Sequence, residues 1–244
     1  MRDDDDRKDN PDDDRPGLTG DLEGTILGSF KAKLVETKKQ WARDGRAMSG
    51  MVEKGGTSKS PQRLPPGQRV TQDFPVLDLG LQPAVDPQDW RLTVSGLVEN
   101  PIDWGWADFH AQPHETFVTD IHCVTTWSRY DNTWQGVSAQ HFLSVVRPKA
   151  GAKFMIFHSH DGYSTNVPLD NFNDDDVMLA HTWNGAPLSR EHGGPIRPII
   201  PKLYFWKSAK WVKHITFLDK DVPGYWEVRG YHNDADPWQE ERYR

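Results

Sequence analysis

The sequence predicts an α+β fold built on mixed β-sheets. Three observations carry that prediction: several segments alternate apolar and polar residues with the period of a strand, the helical patterns are short, and proline is frequent, at 18 residues. WRLTVSGLV (90–98) places Trp90, Leu92 and Val94 on one face and Arg91, Thr93 and Ser95 on the other, the mark of a half-buried strand. ETFVTDIHCV (115–124) reads as a second strand, ending at a cysteine. VSAQHFLSVVRP (137–148) reads as a short helix, with Ser138 the candidate N-cap and Pro148 just past its end. AKFMIFHSH (152–160) and KWVKHITFLD (210–219) return to strand. No internal repeat is visible.

The 244 residues suffice for one compact domain with a tail. Residues 1–17 form an acidic tail. Up to Arg15 it holds eight Asp against four basic residues, and so polar a run cannot bury enough apolar area to offset its ordering entropy. Residues 18–69 read as a helical and linker extension: Leu27, Phe30, Leu34 and Trp41 recur near helical spacing, and EKGGTSKSPQRLPPGQR (53–69) is a linker. The main domain is expected over 70–244. The net charge of -7 excludes a general nucleic-acid binder. No apolar run is long enough to cross a bilayer, and the N-terminus has no apolar signal core, so the expected location is the cytoplasm. A single cysteine excludes an intramolecular disulfide.

That cysteine, Cys123, lies in DIHCVTTWSRYDNTW (120–134). At a strand end its side chain can face a pocket. It can be a small buried hydrophobe, a nucleophile or a metal ligand. His122 cannot serve it, because neighbours on a strand point to opposite faces. Zinc held by Cys123 with His158 and His160 lacks the paired-cysteine spacing of a structural site. A second cluster, EHGGPIRPIIPKLYFWKSAKW (191–211), sets Gly193 and Gly194, which permit close backbone approach to a ligand, before Arg197, Lys207 and Lys210. The residues alone leave open whether these cations bind an anion or cover a solvated surface. DNFNDDDVML (170–179) lacks the sixth-position glycine and closing glutamate of a calcium loop and reads as a solvated acidic turn.

HCVTTWS with the following Trp134 and Gly136, together with NGAPLSREHGGPIRPIIPKLYFWKSAKW (184–211), resembles the molybdopterin-binding domain of the sulfite oxidase family. It is most similar to the stand-alone branch that includes the bacterial methionine-sulfoxide reductase catalytic subunit. The resemblance spans roughly residues 70–220. It implies a molybdenum–molybdopterin cofactor with Cys123 as metal ligand, a sound match because a soft thiolate suits such a metal. It further implies that Arg197 binds the pterin. His192 stands where the reductase branch often has an amide, and Ser159 where it has a threonine. Phe205, Trp206, Lys207 and Lys210 complete the cofactor segment, and FPVLDLG (74–80) supplies Val76 and Leu77. His158, Arg129 and Tyr163 become candidates for substrate or proton handling.

The sequence departs from the reductase pattern at Pro75, where that branch has an asparagine, and at Thr125, where it has an acidic residue. Those positions surround the substrate, so its identity does not carry over. The implied activity is two-electron oxygen-atom transfer on a small sulfite-, sulfoxide- or N-oxide-like molecule. No C-x-x-C-H haem motif is present, so a separate redox protein is the expected electron partner, and too little chain follows Phe217 for a dimerisation domain, so a monomer is expected. A non-catalytic binding module with this fold and a zinc enzyme using Cys123 with histidines are the alternatives.

Overall fold

A computed structural model describes residues 63–244. The tail expected over 1–17 and most of the extension expected over 18–69 lie outside the described residues. The expected α+β architecture of mixed sheets with short helices is what the chain adopts. One sheet holds β1 (Arg69–Val70), β4 (Glu115–His122), β5 (Trp127–Ser138), β8 (Met178–Trp183), β9 (Ala186–Pro187) and β10 (Arg197–Ile199), and the other β2 (Arg91–Gly96), β3 (Ile102–Gly105), β6 (Phe154–Ser159), β7 (Ser164–Pro168) and β11 (Val212–Leu218). In the second sheet β11 runs parallel to β2, with Ile215 opposite Val94, and antiparallel to β6. In the first, β5 lies between β4 and β8 and pairs antiparallel with both.

The strand alternation works as expected: Leu92 and Val94 are buried while Arg91 is exposed. Trp90 and Trp134 are fully buried, and Trp90 Nε1 donates to the Val212 carbonyl at 3.1 Å, which satisfies the one polar atom of an otherwise apolar payload. Gly136 in β5 is required by close approach: a Cβ there would lie 2.0 Å from the Leu179 carbonyl oxygen, where the β5–β8 register shifts. The expected helix runs Ala139–Val146 and buries Phe142 and Val146. Ser138 stands at its N-cap without a side-chain bond; the Val177 carbonyl takes the Ala139 N–H instead, at 2.8 Å.

The segment read as linker up to Arg69 is in part docked. Arg63 bridges Asp120 and Asp131 at 2.5 and 2.7 Å, β1 pairs with β5, and Gln68 Nε2 donates to the Cys123 carbonyl at 3.0 Å. The C-terminal stretch wraps the domain, with Arg242 Nη1 on the Val124 carbonyl at 2.7 Å. No helix among the described residues is long and apolar enough to cross a membrane.

Candidate active site

The β4–β5 hairpin aims Cys123. The Cys123 N–H donates to the Trp127 carbonyl at 2.8 Å and the Thr126 N–H to the Cys123 carbonyl at 3.0 Å, which closes a three-residue loop. Thr126 holds φ 76°, a left-handed conformation that a β-branched residue adopts only under strain. Sequence alternation then puts His122 and Cys123 on different sides, as expected. His122 bonds Ser128 Oγ at 2.8 Å, while Cys123, 6% exposed, faces a cavity of about 850 Å³, counted with the space open at its mouth. Thr125 Oγ1 lies 3.1 Å from Cys123 Sγ.

The opposite wall comes from the loops flanking β10. Arg197 is buried at 2% exposure. Its Nη1 donates to the His192 carbonyl at 2.8 Å, its Nη2 donates to the Ser208 carbonyl, and its guanidinium lies 4.2 Å over the Phe205 ring. Nε has no partner. Burial pulls the Arg197 pKa down to about 9, the sign of a cation held out of water with only carbonyl dipoles for company. His192 stacks on Phe74 at 3.9 Å and leaves Nδ1 without a partner. Burial first, then the charges of Arg197, Lys210 and Arg129, push its pKa down to about 4, so it is neutral at physiological pH despite Glu191 3.8 Å away. The unfolded chain therefore binds this proton more readily than the folded one. Stability contributed by neutral His192 is present above pH 6.5 and is lost as pH falls towards 4. A Tm profile of the cofactor-free protein should decline across that window, and His192→Gln should flatten the decline.

Of the residues expected from sequence, Cys123, Leu77, Tyr163, His192, Arg197, Phe205, Trp206 and Lys210 all line this one cavity. Others do not. Val76 lies outside the lining, although Phe74, Pro75, Leu77, Asp78 and Leu79 around it all contribute. His158 sits half-buried on β6 against His214, ring centroids 5.6 Å apart, outside the cavity lining, so it is not placed to meet a substrate. Arg129 is one ring removed: it stacks 4.8 Å over Trp183 and bonds the Gln72 carbonyl and Asn132 Oδ1. Ser159, at the head of the turn bearing Asp161 and Tyr163, is buried with Oγ unpaired but outside the lining. Lys207 is also redirected. It is fully buried 2.7 Å from Glu227 and bonds Asn166 at 2.9 and 3.0 Å, so its ammonium cannot reach a ligand in the cavity. The Tyr163 hydroxyl donates to the Trp206 carbonyl at 2.6 Å, and burial raises its pKa.

Gly193 and Gly194 serve the loop's own packing. A Cβ on Gly194 would meet the Leu188 carbonyl oxygen at 2.2 Å and one on Gly193 the Lys210 side chain at 2.9 Å. Among the described residues, the clusters able to hold a metal include neither Cys123 nor His158 and His160, so the zinc reading built on those residues fails. Sequence reasoning missed Asp161, Trp226 and Tyr231, which also line the cavity. The last two lie beyond the last predicted strand, where no periodic pattern betrays them.

The chain belongs to the oxidoreductase molybdopterin binding domain family, which matches residues 79–226. It is a molybdopterin-binding oxidoreductase. It is 46% identical over 192 residues to the uncharacterized oxidoreductase YuiH of Bacillus subtilis, covering 78% of this chain and 97% of that protein. It is 31% identical over 147 residues to the putative protein-methionine-sulfoxide reductase subunit YedZ1 of Azospira oryzae, covering 60% of this chain and 56% of that one. Among solved structures it resembles the sulfane dehydrogenase SoxCD of Paracoccus pantotrophus, with TM-score 0.53 and 25% identity over 58% of this chain and 41% of that chain.

The cavity suits the family's molybdenum–molybdopterin. Cys123 offers sulfur, Arg197 Nε, His192 Nδ1 and Trp127 Nε1 are buried without partners, and aromatic rings make up much of the rest of the wall. An anionic, ring-bearing ligand would satisfy both needs.

Proposed function

We propose that the chain transfers an oxygen atom to or from a small sulfite-, sulfoxide- or N-oxide-like substrate, with Cys123 as the protein's ligand to molybdenum. The observation that carries this reading is the meeting of buried Cys123 with the under-bonded Arg197 in one cavity. Bound molybdenum supplies the two-electron redox chemistry. The chain's own residues do the rest. Arg197 and Lys210 place positive charge for the cofactor's phosphate. Neutral His192 offers Nδ1 to the pterin, while the Phe205–Trp206 backbone and the rings of Phe74, Trp127 and Trp226 exclude water. The sulfoxide reductase relative and the sulfane dehydrogenase are named for sulfur chemistry, and a nitrate reductase of Fusarium oxysporum also matches, so a small oxo-compound of sulfur or nitrogen is the substrate class. A separate redox protein carries the electrons.

The test is purification from a host that makes molybdopterin, with metal and released pterin assayed. Near-stoichiometric molybdenum and pterin, followed by turnover of sulfite, a sulfoxide or an N-oxide with a dye as electron partner, supports the reading; a preparation carrying neither overturns it. Charge-assisted hydrogen bonds contribute about 1.5–3 kcal/mol each. Arg197→Gln should therefore weaken pterin retention by about tenfold to a hundredfold.

A further inference from the structure

We propose that His110, His114 and His181 form a second metal site, reachable from solvent, for a divalent transition ion such as zinc. The fold assembles it from three separate pieces of chain. His110 ends the short helix Trp106–His110, His114 immediately precedes β4, and His181 stands in β8. One ligand nitrogen from each lies within 4.8 Å of the other two, and none of the three residues lines the Cys123 cavity.

Two of the rings are already oriented as ligands. His114 Nδ1 is 3.0 Å from His181 Nε2. Zinc–nitrogen bonds of about 2.0–2.1 Å in a tetrahedral site put ligand nitrogens roughly 3.3 Å apart. The far nitrogen of each ring meets an oxygen: His114 Nε2 the Phe109 carbonyl at 3.3 Å, and His181 Nδ1 the Thr182 hydroxyl at 2.9 Å. Such outer contacts fix ring orientation and tautomer in metal sites. Without metal, the His114–His181 contact needs a proton on His181 Nε2. With metal, that proton moves to Nδ1, and the Thr182 hydroxyl changes from donor to acceptor at no loss of bonding. His110 is exposed and closes the remaining distance by turning about its own side-chain bonds.

Two of the three rings, those of His181 and His110, sit where burial disfavours the protonated form. Burial, then the neighbouring histidines, pulls the His181 pKa down to about 4, and burial also lowers that of His110. An all-imidazole set selects zinc, copper or nickel over magnesium or calcium. Three protein ligands leave a fourth position for water or another ligand. The ion would clamp the start of β4 to β8 across β5, bracing the sheet that carries Cys123 and Arg197.

The experiment titrates zinc, and cobalt as a spectroscopic stand-in, into the full-length, molybdenum-loaded protein after chelation. The expected result is one equivalent bound, a metal-dependent rise in Tm, and affinity more than about tenfold weaker in His110→Ala, whose exposed side chain can be removed without unfolding the chain. His181→Ala should abolish binding, and Cys123→Ala should retain it. Absence of binding in the wild type, or equal affinity in wild type and His110→Ala, overturns the proposal.

Discussion

Replacement of Cys123 by alanine is expected to abolish turnover while leaving the chain folded and most of its pterin in place. The residue is small, and losing its sulfur from the cavity wall costs about 1–2 kcal/mol. The groups that would hold the pterin, Arg197, His192 and Lys210, are anchored by the His192, Ser208 and Glu191 carbonyls and by the Phe74 ring. If Cys123 ligates molybdenum as proposed, its loss, by contrast, removes an electron-donating sulfur from the reacting centre. A fall in kcat of at least about 100-fold corresponds to only about 2.7 kcal/mol of transition-state stabilisation. The measurement pairs activity with pterin content and with the thiolate-to-metal charge-transfer absorption. Absorption and activity should disappear together while pterin stays. If Cys123→Ala turns over like wild type, Cys123 is a wall residue and nothing more. Thr125→Val, which removes the hydroxyl 3.1 Å from the sulfur, should shift the absorption without erasing it.

The two segments that form the cavity's facing walls were legible because their chemistry is local. Alternation along ETFVTDIHCV brings the strand to its end at the cysteine, and the proline-stiffened run around Arg197 carries its cations in a short stretch. What could not be read was direction. Lys207 and Lys210 look equivalent in sequence, yet a 3-10 turn over Phe205–Lys207 sends one inward to Glu227 and leaves the other at the cavity. The partner that decides this, Glu227, lies twenty residues on, in a segment with no pattern of its own. His158 failed for the same kind of reason: its strand was predicted correctly, but the cavity takes its lining from Asp161 and Tyr163 beyond the end of β6, and the strand itself packs elsewhere, with His158 against His214.

Lys207→Met is expected to cut stability in the cofactor-free protein, with a drop in Tm on the order of 10 °C. Lys207 and Glu227 are both fully buried, and Glu227 Oε1 takes Lys207 Nζ at 2.7 Å, Trp206 Nε1 at 2.9 Å and Thr165 Oγ1 at 3.0 Å. Removing the cation leaves a carboxylate in the interior with two neutral donors, which costs about 3–5 kcal/mol; for a domain of this size each kcal/mol is worth about 2–4 °C. Adding Glu227→Gln to Lys207→Met removes the orphaned charge and should restore much of the loss, a recovery that only a coupled pair shows. The pair reaches the cavity through Trp206, whose carbonyl accepts the Tyr163 hydroxyl at 2.6 Å and whose ring lines the wall. Pterin retention should therefore fall in the single mutant and recover in the double. Were Lys207 a direct cofactor ligand, the cofactor-free protein would melt as wild type does, and the second substitution would recover nothing. Thermal melts of wild type, Lys207→Met and the double mutant without cofactor, followed by pterin content of each when loaded, separate a lysine that builds the wall from one that grips the ligand.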